Sequence, residues 1–379
     1  MLKNKFASTK FLLKPLSVNF KSLERPNILG ILGVYYLAKD KTGSDRCSSE
    51  KSTDLGERKI IEILASYFES MPDLPVPFGD DVAAFNLDQK QVAVLKTDML
   101  VGKTDIPRNM SLWQAARKAV IMNVSDFASK GVKPTAVLVS LGLPRDTMLK
   151  DIEEIARGLN AGAREYEAYI VGGDTGEASD LIISISLFGT AEKTALMLRS
   201  GAKPGDILAV TGFFGKSASG LRLLTDNYSL SANLREVLLN AVCMPKAKLK
   251  EGLALSHSGA VTASIDSSDG LAWSLHEIGK MSQVGFAVNS VPVADEVRRF
   301  AEFNHLDPLE LSLYGGEEYE LVVTIKPKGW VDAETAVEAV GGRLLPIGKV
   351  TKDRQVLLYV DGQKRTIEAR GWEHFKSKI

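Results

Sequence analysis

From position 54 onward, apolar runs of strand length alternate with longer runs of helical period, and turn formers sit at most junctions. Alternation on this scale restricts the chain to layered α/β or α+β architectures and excludes an all-helical bundle or an all-β sandwich. A helix is expected over 60–68, with Asp54 and Glu57 as a capping box ahead of it. A Pro-rich connection over 72–77 leads to Gly79-Asp80-Asp81, and a strand over 91–97 ends in Asp98. Ser111 is placed to cap a long helix that Gly131 terminates. Then come a strand over 135–143, a helix over 146–166, a strand over 168–171 running into Gly172-Gly173-Asp174, and a strand over 181–188.

Residues 200–206, Ser-Gly-Ala-Lys-Pro-Gly-Asp, are dense in turn formers and read as a linker. A second series follows: strands over 207–211, 260–266, 285–289 and 319–325, and helices over 216–226, 270–282, 294–303 and 331–340. The expected organisation is an extension over 1–53, poorly ordered, an N-terminal domain over 54–195 and a C-terminal α/β domain over 196–379. A chain of 379 residues has room for two cores of ordinary size.

Composition narrows the function. A formal net charge of zero argues against a dedicated nucleic-acid binder. Cys47 and Cys243 cannot build a disulfide framework or a zinc site, and a reduced cytoplasmic setting is expected. No apolar run approaches the roughly 20 residues that cross a bilayer, and the stretch 28–38 is too short, so no membrane association is expected. Residues 1–50 carry nine Lys/Arg against four Asp/Glu and resemble a targeting leader; a plain extension or a misassigned start is the alternative.

The acids recur at one kind of place. Asp80, Asp81, Asp98, Asp174, Asp266 and Asp269 stand at expected strand ends or in the Gly/Ser-rich turns beyond them, where α/β sheets bind ligands. Asp126 follows Asn123 by three residues and shares its helix face. Converging carboxylates repel one another unless cations neutralise them, and several Mg²⁺ ions carrying a nucleotide triphosphate would do so. A single Asp of this kind is usually a cap or turn residue, but the whole set beside glycines is not. Familiar nucleotide motifs fail: Gly215-Lys216-Ser217 lacks the Walker A glycine, since position 210 is Val210. No G-x-G-x-x-G follows a strand, protein-kinase signatures are absent, and the four His lack metalloprotease spacing.

Seven segments, in order, resemble the thiamine-monophosphate kinase family, in the ATP-binding superfamily shared with aminoimidazole-ribotide synthetase and selenophosphate synthetase. They are Gly79-Asp80-Asp81, Thr97-Asp98-Met99-Leu100-Val101, Asn123-Val124-Ser125-Asp126, Gly172-Gly173-Asp174-Thr175, the stretch 199–206, the stretch 265–271 around Asp266-Ser267-Ser268-Asp269-Gly270, and the stretch 315–321 around Gly316-Glu317-Glu318-Tyr319. The resemblance covers 54–379. It implies transfer of the ATP γ-phosphate to thiamine monophosphate, giving thiamine diphosphate, with several Mg²⁺ ions and ATP as co-substrate. It further implies metal binding by Asp81, Thr97, Asp98, Asp126, Asp174, Asp266 and Asp269, and ATP contacts from Gly173, Asp174, Arg199 and Ser268. Glu317 and Trp372 would meet the thiamine moiety, where an aromatic face suits a cationic thiazolium. A homodimer paired through the N-terminal sheets is also implied.

Three positions depart from the family pattern. Lys96 stands where many relatives carry Ser, and is expected to replace a metal contact with a fixed cation. Asp105 stands where many carry His near substrate; it would face the thiazolium, a Mg²⁺, or Lys103 or Arg108, or lie exposed in its loop. Glu318 replaces a commoner Asp. Two other readings stay open: an aminoimidazole-ribotide-synthetase-like enzyme, and a non-catalytic nucleotide or metal sensor on the same scaffold.

Overall fold

The computed structural model describes residues 51–376, apart from Ser70, Asn227 and Asp361. The expectations for residues 1–50, including the basic leader and Cys47, lie outside the described residues. Lys51 onward forms one compact unit. Its first half contains α1 (Ser52–Leu55), α2 (Glu57–Tyr67), β1 (Ala83–Asn86), β2 (Gln91–Val101), α3 (Gly102–Asp105) and α4 (Leu112–Lys130). It closes with β3 (Lys133–Leu143), α5 (Leu149–Glu165), β4 (Tyr169–Glu177) and β5 (Ile182–Glu192). The second half begins with β6 (Ile207–Val210), α6 (Lys216–Thr225), α7 (Ala232–Cys243), α8 (Leu249–Ser258), β7 (Val261–Asp266), α9 (Leu271–Ser282) and β8 (Gly285–Val288). It ends with α10 (Asp295–Asn304), α11 (Pro308–Tyr314), β9 (Leu321–Ile325), α12 (Trp330–Ala339), β10 (Leu345–Thr351), β11 (Val356–Val360) and β12 (Gln363–Thr366).

Among the described residues the strands form two mixed sheets. The first has the order β1-β2-β5-β3-β4, with only β3 and β4 parallel. The second has the order β12-β11-β8-β10-β6-β9-β7, with only β8 and β11 parallel. The layered α+β class with two sheet domains is therefore present. None of the described helices is long and apolar enough to cross a membrane.

Helix α4 organises the molecule. Ser111 and Gln114 form a reciprocal capping box at its start, and Gly131 ends it in the left-handed conformation, as the sequence leads one to expect. Fifteen of its nineteen residues are buried, so it is not a surface helix with one wet face. It packs on β2 and β5 of the first sheet and on β7 and β9 of the second. One core runs through it, joining Val94, Val120, Phe127 and Ile185 to Leu321, Val323 and Ile325. Each such side chain, fully buried, contributes about 1.5–3 kcal/mol. Helix α8 crosses α4 so closely that a Cβ on Gly252 would stand 2.0 Å from the Ala128 carbonyl oxygen. A separate core on the far side of the second sheet gathers Phe214, Leu275, Phe286 and Phe300.

Three local expectations are corrected. Asp54 does not cap α2: it lies in α1 and accepts from the Lys51 amide, while Gly56 precedes α2. The β2 strand does not stop before Asp98 but runs on to Val101, because β5 pairs with it along its whole length. Likewise β4 does not end at Val171 but continues through Gly172-Gly173-Asp174, held by parallel pairing with β3 as far as Glu177. Main-chain pairing overrides the weak strand preference of Gly and Asp in both places.

Among the described residues the face of the first sheet away from α4 is uncovered. Leu95, Leu138, Val171 and Phe188 are 39%, 50%, 63% and 37% exposed. With Ala136 and Ser186 they line one shallow apolar groove.

Candidate active site

A polar stripe on an otherwise buried helix builds the site. Lys118, Ser125 and Ser129 recur on α4 at spacings of seven and four, which places them on one face, with Asp126 beside them. The Ser125 hydroxyl donates to Asp266 Oδ2 at 2.6 Å, and the Ser129 hydroxyl donates to Asp81 Oδ2 at 2.8 Å. These bonds draw the loop before β1 and the end of β7 onto the same turns of α4. Asp81, Asp126 and Asp266 consequently present carboxylate oxygens within 4.8 Å of one another, all buried.

Asp98 joins them through Lys96. The two residues share one face of β2, and Lys96 Nζ lies 3.1 Å from Asp98 Oδ1 and 3.0 Å from Asp126 Oδ2. Burial opposes the Lys96 ammonium, but Asp126 and Asp98 outweigh it and raise its pKa.

Asp80 and Asp81 are neutralised differently. Lys130, wholly buried at the end of α4, lies 2.7 Å from a carboxylate oxygen of each and donates to the Ser264 carbonyl. Arg199 donates to Asp81, to the Gly79 carbonyl and, from its amide, to Asp80. Burial pushes against the Asp81 charge, yet Arg199 and Lys130 hold its carboxyl well below the usual range. On the opposite side Arg58 of α2 pairs with Asp269 at 3.1 Å and with Glu277, and stacks on Trp273 at 3.7 Å. Four cations, Arg58, Lys96, Lys130 and Arg199, are thus threaded among seven carboxylates, Asp80, Asp81, Asp98, Asp126, Asp266, Asp269 and Glu277.

They do not cancel the charge. Burial first, and Asp81 next, push Asp266 up to about 7. Burial also raises Asp126, helped by Asp266, Asp98 and Asp81 and opposed by Lys96. Burial lifts Asp269 to about 6 against the pull of Arg58. A divalent cation among these oxygens would reverse such shifts. The all-oxygen donor set suits Mg²⁺, and Asn123 Oδ1 and Ser267 Oγ, each next to one of these acids in the chain or one turn away, are buried without a partner. The residues present therefore fit the metal.

The remaining predicted residues divide into near and apart. Ser268 is exposed at the rim, and its carbonyl accepts from the Glu317 amide at 2.6 Å. The Trp372 amide donates to the Asp269 carbonyl, and the Trp372 ring meets His374 edge-on. A Cβ on Gly316 would lie 3.3 Å from Trp372 Cβ, so Glu317, Trp372 and Asp269 share one rim. Glu317 pairs with buried Lys118 at 2.5 Å. The backbone there bends sharply, with φ of 63° at Glu317 and 53° at Tyr319. Glu318 accepts from the Gly215 and Ser217 amides, so a protein carboxylate fills the α6 N-terminus that a P-loop would offer to phosphate.

Thr97 points to the opposite sheet face from Asp98, and its hydroxyl donates to the Ile185 carbonyl at 3.0 Å. Asp105 accepts from the Val101 amide at 2.8 Å and so ties its own loop. Gly173 and Asp174 lie on exposed edge strand β4. A Cβ on Gly173 would stand 1.9 Å from the Val139 carbonyl oxygen, which fixes glycine there. Asp174 has no side-chain partner among the described residues and is outside the buried triad.

Sequence reasoning missed Arg58, Lys118, Lys130 and Glu277. For Lys118 and Lys130 a signal existed: basic residues inside a largely apolar run of helical period over 112–130. Nothing in the sequence marks Arg58 or Glu277.

Comparison with known proteins assigns this arrangement to a class. Residues 79–191, which hold the first sheet with α4 and α5, match the family model described as AIR synthase related protein, N-terminal domain. A thiamine-monophosphate kinase of Nitrosopumilus maritimus is 36% identical over 298 residues, covering 79% of this chain and 93% of its own. One from Pyrococcus horikoshii is 35% identical over 328 residues, covering 86% and 97%. The solved structure of AaThiL complexed with AMPPCP and TMP superposes with a TM-score of 0.76 at 27% identity, covering 86% of this chain and 99% of that one. The chain belongs to the thiamine-monophosphate kinase family.

Proposed function

We propose that the chain transfers the γ-phosphate of ATP directly to the phosphate of thiamine monophosphate, giving thiamine diphosphate, with several Mg²⁺ ions in the acid cluster. The observation that carries this is the buried Asp81–Asp126–Asp266 triad, flanked by Asp98, at the seam where α4 meets both sheets. Asp81, Asp98, Asp126, Asp266 and Asp269 would hold the metal, with Asp174 and Thr97 as further candidates. Bound Mg²⁺ supplies neutralisation of the triphosphate charge. Arg199 and the Gly173, Asp174 and Ser268 positions would orient ATP. Glu317, Trp372 and Asp105 are the proposed substrate side. The acceptor phosphate is already anionic at neutral pH, so positioning and electrostatics suffice and no general base is needed.

In this reading residues 54–195 and 196–379 act as two domains meeting at the cluster. Purified protein with ATP and Mg²⁺ should convert thiamine monophosphate to the diphosphate and leave free thiamine untouched. Efficient use of thiamine or of an aminoimidazole-type precursor would overturn the assignment, and ATP binding without any turnover would favour a sensor.

The bare apolar face of the first sheet supports a homodimer, since a groove lined by Leu95, Leu138, Val171 and Phe188 is costly to leave in water. Sedimentation should give a dimer for the wild type and a monomer for Leu138→Lys. A monomeric wild type at micromolar concentration would refute the pairing.

A further inference from the structure

Two cation positions lie side by side in the acid cluster and share Asp126. One is framed by Asp81, Asp126 and Asp266, whose oxygens converge within 4.8 Å. The other lies between Asp98 and Asp126, and Lys96 Nζ fills it at 3.1 and 3.0 Å. The Lys96 side chain is 18% exposed, so its stem is packed and its head is aimed inward from β2. An ammonium ion is a compact point charge with three donors, able to bridge carboxylates from different elements. Mg²⁺ in the same place would need oxygens at about 2.0–2.1 Å and would meet the Lys96 charge head-on. The two occupants exclude each other.

We infer that Lys96 is a tethered cation that permanently holds the position between Asp98 and Asp126, so that this chain binds one divalent ion fewer than its carboxylates provide for. This rests on the proposed kinase reading only in taking the cluster to be a metal site. The nearby cations serve other carboxylates: Lys130 bridges Asp80 and Asp81, Arg199 grips Asp81, and Arg58 grips Asp269. None of them replaces Lys96 when it is removed. Asp98 on β2 and Asp126 on α4 would then repel across the seam, and a free divalent ion becomes the means of rejoining them. A protein-borne charge needs no ion from solution, so the Asp98–Asp126 junction of the wild type is indifferent to chelators.

The test counts metal and does not depend on turnover. Mn²⁺, which takes the same oxygen ligands, is titrated into the full chain without nucleotide, and free Mn²⁺ is read by electron paramagnetic resonance. Lys96→Met should bind one more Mn²⁺ per chain than the wild type, and Lys96→Arg should keep the wild-type count. In EDTA, Lys96→Met should melt below the wild type, and Mn²⁺ should restore it. Should Lys96→Met not fold in EDTA, Lys96→Met with Asp98→Asn, which removes one charge of each sign, should fold there and bind the wild-type count. An unchanged count in folded Lys96→Met, or a double variant that binds the extra ion, overturns the inference. A wild type that binds Mn²⁺ as expected but fails to phosphorylate thiamine monophosphate would sink the kinase reading alone.

Discussion

Asp126→Asn is expected to lower turnover with thiamine monophosphate on the order of 10²-fold or more while leaving the protein folded. Asp126 is common to the buried triad and to the Lys96 pair, so its removal deprives both cation positions of a ligand. A lost metal-binding charge beside a transferring phosphoryl group costs several kcal/mol of transition-state stabilisation. The fold should tolerate the change because the carboxylate is strained as a charge: burial raises its pKa, and Asp266, Asp98 and Asp81 add to the rise. An isosteric neutral amide relieves that repulsion, and Lys96 keeps Asp98 as a partner. Thermal melting should therefore show Asp126→Asn at least as stable as the wild type in EDTA. Near-normal turnover in the variant would remove Asp126 from the metal site.

Lys130→Met should act in the opposite way, through stability. Lys130 is fully buried, and both its carboxylate partners are fully buried side chains. Breaking a buried ion pair from one side leaves an uncompensated charge and costs about 3–5 kcal/mol. Here Asp80 and Asp81 both lose their shared cation, and only Arg199 remains for Asp81. Such a loss is a large share of the 5–15 kcal/mol that a folded domain commonly has. Denaturant unfolding should show the drop, and adding Asp80→Asn should recover part of it by removing one stranded charge. A Lys130→Met protein as stable as the wild type would mean that water reaches the pair.

The periodic parts of the fold were legible in advance. The capped helix α4 and the strands β6 to β9 follow from apolar period and from Ser111, Gly131 and the Gly/Ser turns. Strand ends were not, where they depended on partners distant in sequence. Asp98 and Asp174 read as end residues because Asp disfavours strands, yet β5 and β3 hold them inside the ladder. Helices α7, α8 and α11 and the strands β10 to β12 were not legible in advance, although α7 is as long as the expected α9 and α8 as long as the expected α6.

The acid cluster was legible as a set of acids, but its neutralisation was not. Of the acids expected to come together, Asp81, Asp126 and Asp266 present oxygens within 4.8 Å of one another, while Asp174 stands outside that triad. The cations beside the acids are Lys96, Lys130, Arg199 and Arg58, and neither Lys130 nor Arg58 stands in a recognisable segment. An ion pair between residues far apart in sequence leaves no local pattern, whereas a residue kept for its turn or its helix face does. Lys96 stood out only as a departure from the Ser that many relatives carry before the Thr97-Asp98 pair.

Because α4 is at once the helix most deeply enclosed by both sheets and the carrier of Lys118, Ser125, Asp126 and Ser129, shaping the interior and shaping the chemistry are one task in this protein. A change of a single methyl group on the apolar side of α4, at Val120 or Val124, turns or shifts the same rod that aims Asp126. Variation that tunes the reaction has to come from parts that touch the cluster from outside, such as the β2 strand at Lys96, the Arg58 helix and the Trp372 tail. Those peripheral pieces can change one at a time; the rod between the sheets cannot.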